Sequence, residues 1–178
     1  MSYLSYRYRN NKKQSALKHL VSVNIFISYY YNFHIWKLIN FTGVDLNSQF
    51  PANWELGKKI KSNLGFNKPA PRDFAGEIPL SEPESQAMYN FALLKNFSLC
   101  LCFHSQGEVI YWKYTDFLPP NSLELAKEFA HVSGYELEDT PYNSSFGGFR
   151  DWFIKNFNKP GFTIEVRKRR KSLTFRAI

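Results

Sequence analysis

The residue types that could do chemistry gather at the ends of two apolar segments. In Phe-Ser-Leu-Cys-Leu-Cys-Phe-His, residues 97–104, alternation puts Leu99, Leu101 and Phe103 on one face of a strand and Cys100, Cys102 and His104 on the other. His104 stands where this apolar run meets the polar turn Ser105-Gln106-Gly107. Layered α/β proteins place their sites at such strand ends, although taken alone His104 reads as a hydrogen-bonded strand-end histidine. Cys100, Cys102 and His104 do not easily converge on one tetrahedral ion from a flat strand, so the thiols read as small buried core residues. Glu165 lies inside Phe162-Thr163-Ile164-Glu165-Val166. A carboxylate in a buried strand must be paired, bound to a metal or used as an acid or base; a strand-edge glutamate facing water is the equal alternative. Between the two segments, the polar loop 140–148 carries Tyr142 and the pair Gly147-Gly148. It reads either as a mobile tyrosine lid or as an ordinary surface loop. No glycine-rich loop followed by Lys-Ser or Lys-Thr and no Gly-x-Ser-x-Gly elbow occurs, which sets aside P-loop and serine-hydrolase chemistry.

The surrounding sequence predicts the elements that hold these residues. Residues 21–29 read as a buried strand rich in β-branched and aromatic side chains. Residues 41–66 read mostly as loop, and 68–73 as an extended connector. A helix is expected from Ser81 to about Asn96, opened by a Ser81/Glu84 capping box with Pro83 in its first turn. Val109–Tyr114 is a second strand. Asn121 caps a helix that Gly134 stops after Ser133. Another short helix follows Gly147 or Gly148, runs through Phe157 and ends at Pro160-Gly161; a strand over 162–166 completes the series. Strands alternating with helices predict an α/β fold.

Composition narrows the function classes. The chain has 178 residues, enough for one domain with a sizeable core, and 18% of them are aromatic, which excludes a disordered chain. Two cysteines exclude a disulfide framework. No apolar run reaches the roughly 20 residues of a membrane span, and the apolar stretch 20–31 has no small-residue cleavage site, so a cytoplasmic protein with no membrane partner is expected. The net charge of +8 divides into +6 over residues 1–40, −3 over 41–160 and +5 over 161–178. The run Arg167-Lys168-Arg169-Arg170-Lys171 reads as a solvated, disordered tail before it reads as a nucleic-acid arm.

Taken in order, these motifs resemble the zinc carboxypeptidase (carboxypeptidase A-like) metallopeptidases. Gly43-Val44-Asp45-Leu46-Asn47 followed by Phe50-Pro51 is similar to the family's Gly-Val-Asp-x-Asn-Arg-Asn-Phe segment. His104-Ser105 resembles the third zinc ligand. Tyr142 with Gly147-Gly148 and Asp151-Trp152 resembles the mobile tyrosine loop and the helix after it. Glu165, fourteen residues after Asp151, resembles the catalytic glutamate. The wording of 104–108 and 136–140 looks most like bacterial members, among them the γ-D-glutamyl-diamino acid endopeptidases that cut cell-wall peptides. The resemblance implies a mixed β-sheet flanked by helices, a Zn²⁺ cofactor with His104 among its ligands, and Glu165 as the catalytic acid–base. It implies that Asn47 holds a substrate carboxylate, that Tyr142 closes over the substrate, and that Lys37, after Trp36, stands where an arginine steadies the oxyanion. Arg150 falls at the side-chain specificity position, where a cation favours an acidic group on a peptide or peptidoglycan-peptide substrate; a solvent-exposed helix face is the rival reading.

The sequence also departs from the family. No His-x-x-Glu motif occurs, since Ser22, Lys37, Gly107 and Gly134 stand three residues after the four histidines. Ser48 replaces the arginine that usually follows Asn47, and the resemblance stops at Val166 where the basic run begins. The expectation is therefore a basic, Tyr-rich segment over 1–35, a partial catalytic domain over 36–166, incomplete at its N-terminal side, and a basic tail over 167–178, with altered reading frames as the origin of the ends. Zinc-dependent peptidase activity is expected to be impaired. The alternative is a non-catalytic module that binds a peptide or peptidoglycan fragment. A nucleic-acid partner is not expected.

Overall fold

The computed structural model describes residues 42–104 and 107–166, together with the backbone of 25–29. Among the described residues five strands form one sheet: β1 (Ile25–Tyr29), β2 (Leu99–His104), β3 (Val109–Tyr111), β4 (Glu136–Glu138) and β5 (Gly161–Glu165). Their spatial order is β1-β2-β5-β3-β4. The β1–β2, β2–β5 and β3–β4 pairs are parallel and β3–β5 is antiparallel, so the sheet is mixed, as expected. β5 runs between β2 and β3, which removes the strand-edge reading of Glu165. The β2–β5 register pairs Cys100 with Gly161, Cys102 with Thr163 and His104 with Glu165.

The alternation in β2 divides two cores. Cys100 and Cys102 face Phe50, Ala92, Tyr114, Phe146 and the inner side of helix α4 (Phe149–Phe157). Leu99 faces Ile110, Phe162 and Ala126 of helix α3 (Ser122–Ser133). Helix α2 (Pro83–Lys95) joins the first side through Ala92, Met88 and Tyr89. Helices thus cover both faces, and each large side chain removed from water contributes about 1.5–3 kcal/mol. Trp152 packs against Tyr89 at 4.5 Å, Phe157 at 5.4 Å and Phe50 at 5.9 Å, which ties α4 to α2 and to the segment after Asn47.

Several local expectations are corrected. Residues 41–66 are not mainly loop: helix α1 (Trp54–Asn63) forms there, because Trp54, Gly57 and Lys61 recur at helical spacing and become buried together. Gly57 allows a close approach at that contact, since a Cβ would stand 3.0 Å from the Phe146 Cβ. Helix α2 begins at Pro83 without a capping box; the Ser81 hydroxyl instead lies 3.0 Å from Gln49 Oε1 and 2.7 Å from the Glu82 carboxylate. Asn121 precedes α3 as expected but its side chain makes no cap, whereas Gly134 closes the helix at φ 75° with its N–H on Ala130 O. Helix α4 ends on Asn158, in the left-handed region, before Pro160 is reached. β4 had no strong alternation to announce it; pairing with β3 makes it a strand. The expected strand over 21–29 is observed for residues 25–29, and Trp36, Lys37 and the basic tail lie outside the described residues. No helix among the described residues is long and apolar enough to cross a membrane.

Candidate active site

Parallel pairing places His104 and Glu165 side by side at the C-terminal ends of β2 and β5, on the same sheet face as Cys102 and Thr163. The chain returning from β2 crosses directly against Glu165. Glu108 N–H donates to Glu165 O at 2.7 Å, and a Cβ on Gly107 would meet the Glu165 Cβ at 2.8 Å. Glycine at 107 therefore lets this backbone close over the strand end. Burial, reinforced by the nearby Arg150 cation, pushes the His104 imidazole down to about 4, so it is neutral at physiological pH.

Asn47 reaches the same region from a short 3-10 turn, Leu46–Ser48. The buried Asp45 carboxylate caps the turn, accepting the Asn47 N–H at 3.0 Å and the Asp73 N–H at 3.1 Å. Lys61 Nζ stands 3.9 Å from Asp45, 3.4 Å from Asp73 and in contact with the Ser48 hydroxyl. Ser48, found where the resemblance expects arginine, is thus a buried anchor of the turn. The paired glycines serve close approach. Gly147, at φ 80°, lies against the Ser48 carbonyl, where a Cβ would come within 3.2 Å. Phe50 N–H to Gly147 O and Gly147 N–H to Ala52 O lock the two segments at 2.9 and 3.0 Å.

Gly148 caps α4, and the Asp151 carboxylate bonds back to its N–H, an arrangement of the capping-box kind. A Cβ at 148 would touch Asp151 Oδ2 at 2.9 Å. Asp151 also receives Arg150 Nε at 3.0 Å and Nη2, while Nη2 reaches Thr140 Oγ1 at 3.0 Å. Arg150 is 5% exposed, which excludes the solvent-facing reading of this residue. Burial pushes the Asp151 carboxyl above its ordinary range against the opposing pull of Arg150.

Asn47, His104, Arg150 and Glu165 line one cleft of about 180 Å³, together with Cys102, Tyr111, Thr140, Asp151 and Thr163. The first four are expectations from sequence that the tertiary structure brings together. Tyr142 lies elsewhere: it is 64% exposed, its ring meets Phe146 edge-on at 5.3 Å, and it lines the adjoining cavity. Thr163 was legible from its two-residue spacing to Glu165; Tyr111, Thr140 and the Asp45–Lys61 anchor had no comparable signal.

Catalytic zinc needs three protein ligands and an open position. Cys102, His104 and Glu165 share the cleft, yet among the described residues no group of three or more His, Cys, Asp or Glu side chains converges as a ligand set. With no His-x-x-Glu in the chain, these residues do not fit a catalytic zinc centre.

The zinc carboxypeptidase family profile matches residues 3–177, a span that takes in both basic ends. A γ-D-glutamyl-L-diamino acid endopeptidase 1 of Lysinibacillus sphaericus is 46% identical over 135 residues, which are 76% of this chain and 32% of the relative. The uncharacterized protein YqgT of Bacillus subtilis is 43% identical over 144 residues, 81% of this chain and 37% of that protein. The chain thus spans about a third of the length of these relatives. Among solved structures, carboxypeptidase A from Helicoverpa armigera superposes with a TM-score of 0.56 at 25% identity, covering 74% of this chain and 35% of that one. Profile, relatives and fold agree, and this chain belongs to the zinc carboxypeptidase family.

Proposed function

We propose that this chain is a zinc carboxypeptidase-family peptidase domain for small or cell-wall peptides carrying an acidic group, with impaired hydrolysis. The observation that carries this reading is the convergence of Asn47, Arg150 and Glu165 on one cleft, with no converging ligand set for the metal among the described residues. Glu165 is assigned as the group that accepts the proton of the attacking water and returns it to the leaving amine. Asn47 holds a substrate carboxylate, Arg150 selects the acidic group, and Tyr142 closes from the adjoining cavity. Lys37 as oxyanion partner rests on the family resemblance alone. The name of the 46% identical relative supports a γ-D-glutamyl–diamino acid linkage as the substrate class.

Elemental analysis of the purified chain, alongside incubation with a γ-D-Glu-diaminopimelate peptide, tests this. The expected result is zinc well below one per chain, saturable peptide binding and negligible cleavage. About one zinc per chain with hydrolysis overturns the impairment, and absence of binding overturns the substrate reading. The lack of a converging ligand set among the described residues motivates a second reading, a non-catalytic module that holds peptidoglycan fragments; retention on peptidoglycan without cleavage at any metal concentration selects it.

A further inference from the structure

Lys61 is the charged side chain that helix α1 carries into the interior, where it is 8% exposed. It does not line the Glu165 cleft. Its Nζ lies 3.4 Å from Asp73 Oδ1, 3.9 Å from Asp45 Oδ2 and against the Ser48 hydroxyl. The cation thus stands between two carboxylates from two other segments. Asp45 in turn ties those segments together. Its carboxylate accepts the Asn47 N–H at 3.0 Å through Oδ1 and the Asp73 N–H at 3.1 Å through Oδ2. Its own N–H donates to Phe74 O at 2.8 Å, and its carbonyl accepts the Ser48 N–H at 2.9 Å. Burial pushes the Asp45 carboxyl up, and the Lys61 cation is the largest opposing influence. An ionised acceptor holds an N–H roughly twice as strongly as a neutral one.

We propose that Lys61 is a positioning residue for the candidate site: its cation, set behind the cleft, secures the Asp45 carboxylate, and that carboxylate fixes the turn that presents Asn47 to a bound peptide. The other charged groups around Asp45 do not supply this. Asp73 carries the same sign of charge. Arg72 is 75% exposed and engages the far oxygen of Asp73 at 2.5 Å. Without the Lys61 cation the buried Asp45 carboxyl faces Asp73 alone and binds a proton more readily, and a neutral acceptor then holds the Asn47 N–H less firmly. This inference rests on the peptide-binding reading above and deepens it.

The test is calorimetric titration of the full chain with γ-D-Glu-meso-diaminopimelate from about pH 5.5 to about pH 8.5, with circular dichroism checking the fold at each pH. His104 is held down at about 4 and stays neutral across this range, and the parent profile is the control for the peptide's own titration. Lys61→Gln keeps a donor for Asp45 and Ser48 and removes only the charge. It is expected to bind roughly tenfold more weakly at the acidic end, the scale of one hydrogen bond to a charged group, and to recover toward the parent as rising pH ionises Asp45. Lys61→Arg restores a cation and should bind within about threefold of the parent at every pH. Asp45→Asn removes the titrating group; it should show the weaker binding at every pH, and adding Lys61→Gln to it should cost nothing further. A Lys61→Gln variant that binds like the parent, or that is weaker by one constant factor at every pH, overturns the positioning role and leaves the substrate reading standing. No binding by the parent overturns both.

Discussion

Replacing Arg150 with methionine should destabilise the protein through its neighbour. Arg150 and Asp151 are 5% and 3% exposed, and the guanidinium holds the carboxylate through Nε at 3.0 Å and through Nη2. Methionine keeps much of the volume but leaves the Asp151 charge buried with the Gly148 N–H. Opening a buried pair from one side costs about 3–5 kcal/mol, a large share of the roughly 5–15 kcal/mol that holds a domain folded. With a urea dependence of about 2 kcal/mol per molar, the unfolding midpoint falls by about 1.5–2.5 M. The pH dependence gives the mechanism a sign. Burial already raises the Asp151 carboxyl in the parent, and loss of Arg150 removes the main opposing influence. The folded variant then binds a proton that the unfolded chain releases near the ordinary carboxylate value of about 3.9. Its stability therefore falls as pH rises from there through the raised folded value. The deficit relative to the parent is largest at neutral pH and shrinks toward pH 4. Arg150→Met combined with Asp151→Asn removes both charges and should recover most of the loss, to within about 1–2 kcal/mol of the parent. Urea titrations followed by tryptophan fluorescence report this, since Trp152 packs on Phe149 at 5.6 Å. The reasoning is refuted if the single variant lies within 1 kcal/mol of the parent at pH 7, if its deficit grows on acidification, or if the double variant is no better than the single one.

Two further outcomes are expected. The His104 imidazole, held down at about 4 in the folded protein, takes a proton more readily when unfolded. Stability should fall by about 3 kcal/mol as pH drops from about 6.5 through about 4, and His104→Gln should flatten that part of a stability-against-pH curve; an unchanged slope counts against the burial argument. Gly147→Ala forces a side chain into φ 80° with its Cβ 3.2 Å from the Ser48 carbonyl. A loss of about 1–3 kcal/mol follows, with a melting temperature lower by several degrees and weaker peptide binding, because the same contact seats the Asn47 turn. An alanine variant that melts and binds like the parent would show that the contact does neither.

Much of the architecture was legible because it rests on local patterns. The two-residue alternation of 99–104 divides two cores, Pro83 starts α2, and Gly134 ends α3 in the conformation glycine favours. The family motifs could be read from residue order, since Gly-Val-Asp-x-Asn, a strand-end histidine and a strand glutamate keep their spacing along the chain. Helix α1 was hidden because its buried face includes Gly57 and Lys61, residue types that signal loop and solvent until Phe146 and the Asp45–Asp73 pair supply their partners. The Ser81 capping box failed for the same reason: Gln49, more than thirty residues away, competes for the hydroxyl.

By itself the sequence determined the family, the mixed α/β class and the residue types available for chemistry, including the lack of His-x-x-Glu. Only the tertiary structure decided what those residues face. Arg150 is buried and aimed by Asp151 and Thr140, not displayed on a helix surface. Glu165 sits in an interior strand beside His104, whereas Tyr142 stands over a different cavity. Spacing along a chain sets which face of a strand or helix a side chain takes. Desolvation, partner geometry and the shape of a cavity arise only when segments distant in sequence meet.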